Sequence, residues 1–139
     1  MSIEQTIAAL ARELVQAQCQ PDDPIHEKET AYRALCESFP ALLRSAGLVQ
    51  AITYLEAKAN ASECKALLDH FESQFTALKL LGTSAKEKEN LSAKITSEKF
   101  SMPQYRYYSH VAFKVTYWHK RLAQALLRQR AKSPAEARP

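Results

Sequence analysis

Glycine is nearly absent from this sequence, and that scarcity constrains the fold more than any other feature. The 139 residues contain two glycines, Gly47 and Gly82. Glycine supplies the positive-φ turns of tight hairpins and the bare backbone of phosphate-binding loops. P-loop and dinucleotide-binding folds are therefore excluded, and a multi-stranded sheet is disfavoured. Because a chain of this length buries roughly two-thirds of its unfolded surface, we expect one helical domain.

Capping residues and apolar spacing divide the first half of the chain into helices. Ser2 and Gln5 form a capping box, and apolar residues follow at intervals of three and four. A second helix is expected over residues 24–37. A third is expected over residues 40–55, with a proline at its first position. Because this third helix is apolar on every side, we expect it to be buried, with Gly47 in its middle allowing a close approach or a bend.

The second half of the chain is predicted to contain a fourth helix capped by Asn60, a short segment and a long final helix. Residues 86–98 offer two apolar anchors, so we expect a short exposed helix or a mobile connector there. A serine cap followed by a proline and a glutamine predicts a final helix over residues 101–132. The predicted fold is an all-α, single-domain bundle of five to six helices over residues 1–132, followed by a disordered tail over residues 133–139.

The charge of the chain is divided unevenly between its two parts. The net charge is +4, but residues 1–98 carry ten basic and fourteen acidic side chains, a net of −4. Residues 99–139 carry nine basic side chains and one acidic side chain, Glu136, a net of +8. Such asymmetry indicates a polyanionic partner for the C-terminal third, or an acidic protein surface.

Helical spacing collects the basic excess of the final helix on one face. This stripe consists of Arg106, His110, Lys114, Tyr117, Arg121, Arg128 and Lys132. The apolar face predicted to meet the core consists of Tyr108, Val111, Val115, Trp118, Leu122 and Leu126. A cationic line with interleaved tyrosine suits a phosphate backbone and has no pattern for reading bases, so we expect binding without sequence specificity. The alternative is that these side chains only solvate the outward face of a long helix.

The sequence has no pattern typical of an enzyme or of a metal site. Its four histidines lack metal-binding spacing, and Cys19, Cys36 and Cys64 include no C-x-x-C pair. We therefore expect no catalytic residue, metal, cofactor or small-molecule substrate. The N-terminus does not resemble a signal peptide, and the longest uncharged run, residues 45–55, is too short to span a membrane. We expect a cytoplasmic protein without a membrane partner.

Two blocks of the sequence resemble one family. The first, residues 39–58, is similar to the signature helix of the small helical subunit of the type III-B CRISPR effector, the Cmr complex. It matches at Pro40, Gly47, Leu48, Tyr54, Leu55 and Lys58. The second resembles the aromatic-rich final helix of that family and matches at Trp118, Lys120, Arg121 and Ala123. With the spacing between them, the blocks span about residues 30–128.

The resemblance implies a non-catalytic, all-α protein whose copies stack head to tail beside the backbone and large subunits of the complex. It implies that these copies line the channel that holds guide RNA and target RNA, while other subunits cleave RNA. The stripe residues are then the candidate RNA contacts. The candidate subunit-interface residues are Arg44, Gly47, Lys58, Lys120 and Arg130.

Two other functions are compatible with the residues alone. A helical adaptor could dock its basic helix on an acidic protein, with no role for nucleic acid. A small nuclease or other enzyme would need a site assembled from distant residues. Salt-sensitive association with a protein and none with RNA would favour the adaptor, and metal-dependent activity of the purified chain would favour the enzyme.

Overall fold

The computed structural model describes residues 2–19, 27–81 and 90–128. The predicted all-α class is confirmed, because these residues form six helices. They are α1 (Ile3–Gln16), α2 (Glu27–Ala46), α3 (Leu48–Ala57), α4 (Ser62–Ala77), α5 (Leu91–Ile95) and α6 (Met102–Leu126). Within the described ranges, no helix is both long and apolar enough to cross a membrane.

The capping boxes predicted at the starts of the first and last helices are present in α1 and α6. A third, predicted at Ser84 and Glu87, lies outside the described residues. The backbone N–H of Ser2 donates to Gln5 Oε1 at 2.9 Å, and Ser2 Oγ accepts from the N–H of Gln5. Ser101 and Gln104 make the same reciprocal pair at the start of α6. Each box satisfies backbone groups that the first helical turn leaves without partners, so these two boundaries are defined by local sequence.

The predicted boundary between the second and third helices is wrong. Pro40 lies inside α2, which is continuous from Glu27 to Ala46. The chain turns instead at Gly47, whose φ of 88° and ψ of 170° lie in a region open almost only to glycine. An interior proline costs about 3 kcal/mol, and buried Phe39 and Leu43 anchor the helix on both sides of it. Tertiary packing therefore overrides the local preference of proline, and glycine sets the boundary.

Three further boundaries differ from their predictions. The fourth helix begins at Ser62 after Ala61, so Asn60 is not its cap. Asn90 instead caps α5, accepting from the N–H of Ser92 at 2.8 Å. This short helix is anchored by buried side chains and packs on α3, rather than being exposed. The final helix ends at Leu126 because Leu127 is extended, and residues 129–139, with the predicted tail, lie outside the described part of the chain.

The long helix α6 packs most extensively against α1 and α2. Its core face is rotated relative to the prediction, since Trp118 and Leu126 are only half-buried. The buried residues of α6 are Tyr108, Val111, Ala112, Val115, Thr116, His119, Leu122 and Ala123. The prediction considered large apolar side chains only, and it missed the two alanines, the threonine and the histidine on this face.

Candidate nucleic-acid interface

The predicted stripe lies on the side of α6 that faces away from the core. Four of its members within the helix are exposed: Arg106, His110, Tyr117 and Arg121. The fifth, Lys114, is half-buried. Intervals of three and four residues keep them on one side of the helix. Arg128 follows the helix and is exposed, and Lys132 lies outside the described residues. The geometry thus places the stripe residues within α6 on one solvent face, and the contact of the stripe with RNA stays a prediction.

Two cations of the stripe lie beside carboxylates of other helices. Lys114 Nζ is 3.8 Å from Glu4 Oε2 on α1, and Arg128 Nε is 3.8 Å from Glu29 Oε2 on α2. Glu29 is completely buried, and a buried charge is costly unless an opposite charge compensates it. Arg128 therefore contributes to stabilising the core as well as to the charge of the surface. These carboxylates offset part of the positive charge of Lys114 and Arg128.

A further cation joins the stripe from α2. The guanidinium of Arg44 donates a hydrogen bond from Nη2 to the hydroxyl of Tyr117. Arg44 is exposed and lies 73 positions before Tyr117 in the chain. We predicted Arg44 as a subunit-interface residue, and the fold brings it to the predicted RNA contacts. No local sequence pattern could have linked the two residues.

Beside the stripe lies an open groove of about 590 Å³. It is lined by Glu4, His110, Phe113, Lys114, Tyr117, Trp118 and Arg121. The indole N–H of Trp118 donates to Glu4 Oε1 at 3.3 Å, while the other oxygen of Glu4 faces Lys114. Glu4 thereby connects a ring and a cation of the groove. The groove combines aromatic and cationic side chains on one helix face, and we call it the α6 groove.

The other candidate interface residues are dispersed over the surface. Gly47 lies at the α2–α3 turn, where an added Cβ would be 3.5 Å from the hydroxyl of Tyr105. Lys58 ends α3, with its ammonium 5.2 Å from the ring centroid of Tyr54. Lys120 is half-buried on α6, and Arg130 lies outside the described residues. Only Arg44 among these candidates contacts the stripe within the described residues, and the interface role of all five stays a prediction.

Away from the surface, the core contains a hydrogen-bonded chain of polar side chains that no sequence pattern indicated. The hydroxyl of Tyr32 lies 2.6 Å from His70 Nδ1 and 3.0 Å from His119 Nδ1. The amide nitrogen of Gln74 lies 3.2 Å from His119 Nε2 and donates to the carbonyl of Ile7 at 3.0 Å. These contacts join α1, α2, α4 and α6 through one network.

The donors and acceptors of this network run in one direction. Because the Gln74 amide nitrogen only donates, His119 Nε2 accepts and His119 Nδ1 carries the proton. His119 then donates to the Tyr32 hydroxyl, which donates to His70. Both imidazoles are neutral in this arrangement. Burial lowers the pKa of His70 to about 4 and that of His119 to about 3, and it raises the pKa of Tyr32.

The network is a structural feature of the core rather than a surface site. Tyr32 is 0% and His119 1% exposed, and neither lines the α6 groove. Across the described ranges, no three His, Cys, Asp or Glu side chains lie close enough to hold a metal ion. The two histidines lie 49 positions apart, which is why their spacing indicated nothing in the sequence.

Comparison with known proteins gives one family. The family described as CRISPR-associated protein (Cas_Cmr5) matches residues 3–126. The fold is similar to the X-ray structure of a CRISPR-associated Cmr5 family protein from Thermus thermophilus, with a TM-score of 0.69 and 23% sequence identity. The likeness covers 92% of this chain and 100% of that chain. No curated protein matches the sequence. The resemblance seen in the two sequence blocks is thereby confirmed.

Proposed function

This chain belongs to the CRISPR-associated Cmr5 family, and from that premise we propose that it is a structural, non-catalytic subunit of a type III-B CRISPR ribonucleoprotein. Copies of it stack as a filament along the backbone subunits and contact the large subunit. The solvent face of α6 contacts the phosphates of guide and target RNA without sequence specificity. Cleavage of RNA belongs to other subunits of the assembly.

The observation that carries the RNA contact is the row of cations opposite the core face of α6. Arg106 and Arg121 are exposed on that face, and Arg44 reaches it from α2 through Tyr117. Arginine suits phosphate because its planar guanidinium offers several donors and stays charged at any cellular pH. A row along one helix follows a backbone rather than selecting individual bases, so it favours contacts without sequence specificity.

The division of charge supports stacking of copies. A net charge of −4 over residues 1–98 and of +8 over residues 99–139 favours head-to-tail docking of copies, because opposite charges attract. A heterologous contact repeats from copy to copy, and it builds a filament when the rotation between copies does not close a ring. Repetition then increases the affinity for a continuous RNA, since each further copy binds at a high effective concentration.

The decisive test reverses one stripe cation in the reconstituted complex with guide RNA. We expect Arg121→Glu to weaken target-RNA binding by about tenfold or more, because the change acts in every stacked copy. Lys65→Glu is the matched control, since Lys65 is an exposed cation on α4, outside the stripe. Both variants should assemble and show unchanged circular dichroism.

Two outcomes of this experiment contradict the proposal. Equal RNA affinity of the two variants would remove the stripe from RNA binding. Loss of assembly in Arg121→Glu, with intact RNA binding in whatever complex remains, would assign the basic helix to an acidic protein partner, as in an adaptor. Metal-dependent RNA cleavage by the purified chain would contradict the non-catalytic role.

A further inference from the structure

The α6 groove has a composition that phosphate binding alone does not require. A phosphate backbone needs cations on an accessible face, but this groove also has three aromatic walls, Phe113, Tyr117 and Trp118. They lie next to the polar side chain of His110 and the cation Arg121 on the same helix. Aromatic rings beside cations are the combination by which proteins hold unpaired nucleotides: bases stack on the rings while phosphates meet the cations.

The groove is also concave and of suitable size. Its volume of about 590 Å³ lies within the range typical of pockets for small organic ligands, about 300–1,000 Å³. Trp118 is half-buried against the core, and its N–H is held by Glu4, so one of the aromatic walls is fixed in place. A fixed ring loses little conformational entropy when a base stacks on it.

We propose that the α6 groove holds an unpaired nucleotide of single-stranded RNA. The base packs against Phe113 and Trp118, and the adjoining phosphate binds Arg121 and His110. This inference rests on the proposed function and goes beyond it, because it requires an unpaired base and not only phosphates. A base within a duplex cannot enter the groove, so the chain discriminates single-stranded from double-stranded RNA.

The sequence provides a direct reporter, because Trp118 is the only tryptophan of the chain. The full-length chain is titrated with three RNAs of equal length: a single strand, the same strand with abasic residues, and a duplex. Binding is followed by anisotropy of a label on the RNA, and base stacking by Trp118 fluorescence. We expect the single strand to quench Trp118 and to bind at least about fivefold more tightly than the abasic strand. The duplex and the abasic strand should bind without quenching.

A matched pair of variants separates stacking from charge. Phe113→Leu removes a ring of the groove and keeps an apolar side chain, so it should reduce the preference for the intact strand and leave binding of the abasic strand unchanged. Phe100→Leu is the control, because Phe100 is also half-buried but packs on Tyr105 and Tyr108, outside the groove. Circular dichroism of both variants verifies their folding.

The failures of the two proposals can be told apart. Equal binding of intact and abasic strands, with no change in Trp118 fluorescence, would overturn the groove inference and leave the phosphate contacts standing. No binding of any RNA at low salt would overturn the proposed RNA contact and the groove inference with it. Quenching by an acidic polypeptide and by none of the RNAs would assign the groove to a protein partner and would also overturn the inference.

Discussion

Two histidines nine positions apart on α6 show how differently the two faces of this helix are used. His119 is 1% exposed, and both of its ring nitrogens are hydrogen-bonded within the core. His110 is exposed and lines the α6 groove. The same side chain therefore ties helices together on one face and is available to a ligand on the other. The structural role of His119 depends on its burial and on the direction of its hydrogen bonds. Ligand binding by His110 depends on its exposure to solvent.

The difference between the two faces indicates what sets the rotation of α6 about its axis. Apolar contacts alone tolerate small rotations of a helix, since many similar packings have similar energies. The chain from Gln74 through His119 and Tyr32 to His70 has one consistent arrangement, because the Gln74 amide nitrogen can only donate and each following side chain must accept from the one before it. Polar bonds in the core thus fix the orientation of the cations on the surface.

The largest expected effect is loss of stability in acid, which tests the buried face. His70 and His119 have pKa values of about 4 and 3 in the folded protein because burial disfavours their charged forms; an unfolded histidine has a pKa of about 6.5. Between pH ~6.5 and pH ~4 the unfolded state therefore binds more protons, and the free energy of unfolding falls by up to about 2–3 kcal/mol per pH unit as the pH is lowered. Above pH ~6.5 the two rings contribute no slope, and below their folded pKa values the slope disappears again. Urea unfolding at a series of pH values measures the effect.

A single substitution checks the source of this acid sensitivity. His119→Gln removes one of the two titrating rings, so the slope of unfolding free energy against pH should fall to about half. His110→Gln is the control, because His110 is exposed and its substitution leaves the buried network intact. A slope that is the same in wild type and His119→Gln would contradict the buried network as the cause.

The second prediction compares the same substitution, histidine to leucine, on the buried and the exposed face of α6. His119→Leu removes one buried hydrogen bond from the Tyr32 hydroxyl and one from the Gln74 amide, and we expect it to lower the free energy of unfolding by about 2–4 kcal/mol at neutral pH. His110→Leu should change it by less than about 0.5 kcal/mol, as exposed substitutions usually do. Urea denaturation compares them. Equal losses of unfolding free energy in the two variants would contradict the structural role of His119.

The smallest expected effect concerns the carboxylate in the α6 groove. Glu4→Gln keeps an acceptor for the Trp118 N–H but removes the negative charge 3.8 Å from Lys114. RNA affinity should therefore rise, by about two- to threefold, as the modest strength of exposed ion pairs implies. Glu13→Gln on the same helix is the control, because Glu13 is exposed and does not line the groove. Weaker RNA binding of Glu4→Gln would contradict this account of the groove.

Local signals in the sequence predicted a large part of the fold. The capping boxes at Ser2 and Ser101 defined two helix starts, because their partners lie three residues away. Helical spacing placed the cations of α6 on one face, since periodicity depends only on neighbouring residues. The α2–α3 boundary failed for the opposite reason: packing around Pro40 comes from other helices, and local preference cannot include it.

The site was predictable only where it lies on one helix. Arg106, His110 and Arg121 follow from spacing along α6, whereas Arg44 joins them from 73 positions away, and His119 meets Tyr32 across 87. Long-range pairs of that kind leave no periodic trace in a single sequence. The ion pairs that Glu4 and Glu29 make with cations of the stripe are also long-range pairs, because only the fold brings these carboxylates to α6.

The salt dependence of RNA binding tests most directly whether the solvent face of α6 holds phosphates. With about four cations neutralising single-stranded phosphates, the plot of log affinity against log salt concentration should have a slope of about −2.8. Arg121→Gln should bring it to about −2.1, and Lys65→Gln on α4 should leave it unchanged. A slope near zero, or the same slope in wild type and Arg121→Gln, would mean that the solvent face of α6 does not bind phosphates.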